Sequence, residues 1–94
     1  MNNTFYRVKK DTFLWKEGAI LKLENYANGI RGYIPIEDIW NVAKGQKTEY
    51  ITAFIIEDPI NEEYFERVYP DTIGGKIYRT KDQLVEAYKG AFKK

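Results

Sequence analysis

Apolar and polar positions alternate in two different rhythms along this chain, and the change of rhythm marks out the elements. A period of two, with successive side chains on opposite faces, recurs early. The segment 3–10, "NTFYRVKK", places Phe5, Tyr6 and Val8 at β spacing and predicts a first strand. "AILKLE" (19–24) sets Ala19, Leu21 and Leu23 against Lys22 and Glu24, the pattern of a half-buried strand. "IRGYIPI" (30–36) reads as its returning partner, because "NYANG" between them is a turn by composition and Asn28-Gly29 suits the positive φ values of a hairpin. "TEYITAFIIE" (48–57) is apolar on both faces and predicts a strand in the middle of the sheet. "YFERVY" (64–69) and "KIYRT" (76–80) predict two more strands, the second entered through a Gly-Gly hairpin at 73–76.

The helical rhythm appears twice. Ile36, Ile39, Trp40 and Ala43 fall at i, i+3, i+4 and i+7, with Pro35 before them, acids in the first turn, Lys44 in the last and Gly45 beyond. Toward the end, Thr80 and Gln83 form a Thr-x-x-Gln capping box ahead of a stripe of Leu84, Ala87, Tyr88, Ala91 and Phe92, with Val85 alongside. Between the two, Asp58-Pro59 is an N-cap followed by proline at the first helical position, so a short helical turn is expected before the strand at 64–69. The expected fold is α+β: a single small domain over 1–94 with flexible ends at 1–3 and 93–94. Its mostly antiparallel sheet has five or six short strands and is packed by the C-terminal amphipathic helix.

Length and composition change this picture little. A chain of 94 residues, 44% hydrophobic and 31% charged, fits one globular domain with a modest core. The longest apolar run, "AFII" (53–56), is far short of the ~20 residues a membrane helix needs. The opening "MNNTFYRVKK" has no apolar signal-peptide segment, so a cytoplasmic, membrane-free protein is expected.

Candidate chemistry is narrowed most by what is missing. The chain has no His, no Cys and no Ser, which removes Ser-His-Asp and Cys-His nucleophiles, His or Cys zinc sites and imidazole bases together. Any catalysis would fall to carboxylates, Lys, Tyr, Thr or Arg, and no cofactor or metal motif stands out. "GGK" at 74–76 lacks the longer loop and following helix of a phosphate-binding motif. The acids at 57–66 lack the regular spacing and central glycine of a calcium loop.

Those acids, Glu57, Asp58, Glu62, Glu63 and Glu66, come with no positive residue among them, in a chain whose net charge is +1. Acids at a helix start follow from the macrodipole alone, at about 0.3–1 kcal/mol each. A docking surface is the leading functional use, ahead of a catalytic carboxylate pair. Trp15, between Leu14 and Lys16, is either an exposed aromatic contact together with Phe13 and Tyr26 or a ring tucked over the sheet edge. Basic residues collect as Arg7, Lys9 and Lys10, as Lys76, Arg79 and Lys81, and as Lys89, Lys93 and Lys94. If the first two groups met on one face beside aromatics they would suit a nucleic-acid backbone, although a pI near 7.8 is low for that purpose.

"YRVKKDTFLWKEGAIL" (6–21) and "YFERVY" (64–69) resemble small modules in phage and prophage proteins of Gram-positive bacteria. Those modules open with a strand, then Lys-Asp, a short apolar loop and a glycine before the next strand, and often close with Trp-Phe-Glu. Lys10-Asp11, Gly18 and Phe65-Glu66 match; Thr12-Phe13 replaces Leu-Pro, and Tyr64 stands where Trp is usual. The resemblance implies an accessory, mobile-element setting and carries over no catalytic residue. The expected function is therefore non-enzymatic protein binding, with a host or phage protein as partner. Weak nucleic-acid binding through the basic residues is the alternative.

Overall fold

The computed structural model describes residues 4–26, 29–70 and 78–92. Among the described residues five strands form one antiparallel sheet: β1 (Phe5–Val8), β2 (Ile20–Asn25), β3 (Arg31–Pro35), β4 (Ile51–Thr52) and β5 (Phe65–Val68), in the order β4-β3-β2-β1-β5. The helices of the described residues are α1 (Ile39–Ala43), α2 (Ala53–Glu57) and α3 (Lys81–Ala91), with 3-10 turns at Ile36–Asp38 and Pro59–Asn61. This is a small α+β fold. The hairpin expected at 73–76 and the first two residues of the strand expected at 76–80 lie outside the described residues; Tyr78, Arg79 and Thr80 are not strand, because Thr80 already serves as the N-cap of α3.

Register decides which side chains share a face. Tyr6 pairs with Leu21 and Arg67, Val8 with Phe65, and Leu23 with Tyr33, so these side chains point to one side. That side carries a core of Val8, Leu21, Leu23, Tyr33, Ala53, Ile56 and Phe65, against which Trp15 and Ile51 pack. Phe5, paired with Lys22 and Val68, faces the other side. There the second core joins Phe5, Ile36, Val68 and Tyr88, with Leu84 and Phe92 of the α3 segment against it. Phe5 meets the rings of Tyr88 and Phe92 at centroid separations of 5.8 and 5.0 Å.

The first three strands, β5 and α3 lie where periodicity puts them. Thr80 caps α3 by accepting from the Gln83 amide at 3.2 Å, and Gln83 reaches back to the Arg79 amide at 3.0 Å. Val85, Tyr88 and Ala91 of the predicted stripe are buried. Gly45, at φ +78°, ends the α1 segment as a left-handed residue beyond Lys44.

The segment 48–57 departs from expectation. Only Ile51 and Thr52 are strand, at the sheet edge rather than its centre, and Ala53–Glu57 is helix. Thr52 pairs with Gly32, and β3 begins one residue earlier, at Arg31. A strand continuing past Thr52 would soon run out of partner and leave its backbone groups unpaired. Turning into a helix satisfies them internally and exchanges a period of two for i, i+3 burial of Ala53 and Ile56.

Candidate functional site

The connection from β1 to β2 is built by short polar side chains. The Thr12 hydroxyl accepts from the amides of Leu14 (3.3 Å) and Trp15 (2.9 Å) and donates to the Trp15 carbonyl (3.0 Å). The Thr12 amide closes the same turn onto the Trp15 carbonyl at 2.8 Å. Asp11 accepts from the Glu17 amide at 2.8 Å, and the Gly18 amide returns to the Val8 carbonyl at 2.8 Å. The result is a fixed loop with two aromatic outcomes: Trp15 turns inward, half-buried against the first core, while Phe13 at the apex is 91% exposed.

Opposite the loop stands α2. Its inward residues are Ala53 and Ile56, yet its outward ones are also apolar: Phe54 is 70% and Ile55 41% exposed, and Ile60 just beyond is 80% exposed. The helix is held at three points. Tyr33 donates its hydroxyl to Glu57 at 2.8 Å, Asn61 donates its side-chain amide to the Ile55 carbonyl at 2.8 Å, and Asp58 caps the next turn by accepting from the Ile60 amide at 3.0 Å. Burial, with the Glu57 carboxylate next in weight, pushes the Tyr33 phenol well above its ordinary range, so it remains a donor.

Between loop and helix runs an open groove with two hollows of about 360 and 540 Å³. They share Phe13, Ile51 and Ile55; Tyr64 and Phe65 line the smaller, Leu14 and Tyr50 the larger. Asp11 lines the smaller hollow and Glu49 the larger. Phe13 belongs to this surface as the sequence suggested. Ile51 and Ile55 could not be found by a reading that placed 48–57 as a central strand. The signal that reveals them is the i, i+3 spacing of Ala53 and Ile56 ahead of Asp58-Pro59.

The charged candidates largely meet one another. Antiparallel β1 and β5 set Arg7 opposite Glu66, where they form an ion pair at 2.9 Å. Just past the strand ends, Lys10 pairs with Glu63 at 3.2 Å and Lys9 donates to the Glu62 carbonyl at 3.2 Å. Glu57 takes Arg31 at 3.4 Å besides Tyr33, and Asp58 is occupied as a cap. Residues 62–66 and the first basic group thus form one solvated seam. Lys76 lies outside the described residues; Arg79 and Lys81 are exposed at the start of α3.

Tyr26 is not an exposed contact. It is half-buried and stacks on Tyr50 with centroids 4.7 Å apart, and Tyr50 in turn covers Gly32, where an added Cβ would collide with its ring. The Tyr26 and Thr48 hydroxyls are buried side by side without an aligned hydrogen bond. Burial pushes the Tyr26 phenol up, and the Thr48 hydroxyl beside it partly offsets this. Among the described residues no three His, Cys, Asp or Glu side chains gather as metal ligands, and no helix is long and apolar enough to cross a membrane.

No known protein family matches the chain, and neither curated proteins nor solved structures give a match to it.

Proposed function

We propose that this chain is a non-enzymatic, cytoplasmic protein-binding module whose partner docks in the groove between the 11–18 loop and α2. The observation that carries the reading is the outward apolar set of Phe13, Ile55 and Tyr64, held by hydrogen bonds that serve the loop and helix and leave these side chains free. A contiguous apolar set left in solvent forgoes the about 1.5–3 kcal/mol that burying a large side chain is worth, and such patches mark interaction surfaces. An exposed aromatic anchor on a rigid turn suits binding instead, because little ordering remains to be done when a partner arrives.

Of the acids at 57–66, Glu57, Glu63 and Glu66 are neighbours of this surface already paired with Arg31, Lys10 and Arg7, and Lys9 is held by the Glu62 main-chain carbonyl. The same engagement weakens the nucleic-acid alternative, whose first basic group is occupied. The resemblance to phage and prophage modules supports an accessory role on a host or phage protein, with inhibition of a host enzyme or defence factor as one version.

The test is affinity capture from host-cell lysate at low and high salt, with Ile55→Asp beside the wild type. A defined protein held at both salts and lost with Ile55→Asp is the expected result. Capture of nucleic acid alone, only at low salt and indifferent to residue 55, would contradict it.

A further inference from the structure

The groove's charge specifies its occupant. Among the described residues each hollow has one charged lining residue, Asp11 in the smaller and Glu49 in the larger, and no cation lines either. Among the described residues neither acid has an ion-pair partner, in contrast to Glu57, Glu63 and Glu66. Asp11 uses one carboxylate oxygen on the Glu17 amide and retains the other. Lys9 and Lys10, the nearest cations in sequence to Asp11, are directed to the Glu62 carbonyl and the Glu63 carboxylate.

The shape points the same way. The hollows are contiguous through Phe13, Ile51 and Ile55, and each has room for one bulky side chain. Building on the protein-binding reading above, we propose that the occupant is a short peptide segment with two bulky apolar side chains flanked by Lys or Arg. The apolar pair fills the two hollows. The flanking cations meet Asp11 at one end and Glu49 at the other, which fixes direction and register as complementary charge does at interface rims.

The experiment is selection of a random dodecapeptide library on the full-length protein, with counter-selection on Ile55→Asp and circular dichroism to check that each variant is folded. Recovered peptides are expected to share two bulky apolar residues flanked by Lys or Arg. Asp11→Asn and Glu49→Gln are each expected to weaken them by about two- to fivefold, with reduced salt dependence. Peptides that need Ile55 but show no basic enrichment would overturn the charge assignment and leave the docking surface standing. Absence of any Ile55-dependent peptide would overturn both. A concentration-dependent dimer abolished by Ile55→Asp would assign the groove to a second copy of this chain and likewise overturn the proposal.

Discussion

The two faces of the sheet are covered in opposite styles. On one, α3 presents Val85, Tyr88 and Ala91 inward and mostly charged or polar residues outward, so its apolar surface is consumed by the fold. On the other, the 11–18 loop and α2 bury Trp15, Ala53 and Ile56 while holding Phe13, Phe54 and Ile55 in solvent. A helix of only five residues gains little stability from its own hydrogen bonds, and α2 depends on Tyr33, Asn61 and the Asp58 cap to remain in place. The contrast separates a cover made for stability from one that also displays a surface.

Substitutions on the two covers should therefore separate stability from binding. The largest stability effect is expected on the α3 face: Tyr88→Ala removes a buried ring and should cost about 3–5 kcal/mol in denaturant unfolding. Ile55→Asp, on the opposite cover at a side chain 41% exposed, should cost clearly less stability than Tyr88→Ala while abolishing capture of the partner. Equal stability losses from both would erase the distinction between the covers.

Next in size is Gly32→Ala, whose new methyl group meets the Tyr50 ring. A loss of about 1–3 kcal/mol is expected in thermal or denaturant melts, because Tyr50 must leave its stack on Tyr26. Restoring space with Tyr50→Ala in the same chain should recover part of it, and the double-mutant cycle measures that coupling.

Tyr33→Phe should cost about 1 kcal/mol at neutral pH by deleting the bond to Glu57. It should also change the alkaline limb. Folding raises the Tyr33 pKa above its ordinary 10.0, so the associated stabilisation is whole below that pH and is lost as the pH rises further. The difference between wild type and Tyr33→Phe should therefore narrow in melts taken above pH 10.

The smallest effect belongs to Asp38, whose carboxyl is pushed up chiefly by burial, against the pull of Lys81. A raised carboxyl stabilises the fold below its ordinary pKa of 3.8 and loses that contribution as it ionises. Asp38→Asn should thus raise the melting temperature slightly at pH 7, with the gain vanishing below about pH 3.8.

Sequence pattern revealed the elements whose environment is local. The alternation in 19–24 and the Thr80–Gln83 box each state a structure that needs no distant information, and β2 and α3 lie there. The end of β4 depends instead on where β3 begins, a fact about register between segments separated in the chain. The same limit hid the cancellation of Arg7 by Glu66 and of Lys10 by Glu63, pairs separated by 59 and 53 positions. Phe13 was legible as an exposed aromatic candidate. The groove was not, because it forms only when the loop at 11–14 meets residues 48–65.

On the proposed function, a protein partner sits on the outer surface of the loop and α2. The most direct test is photo-crosslinking in host cells with a benzophenone amino acid at position 13, position 55 or, on the exposed side of α3, position 89. One shared protein adduct is expected from positions 13 and 55 and none from 89. The same adduct from 89, or no adduct from 13 and 55 in a folded protein, would contradict it.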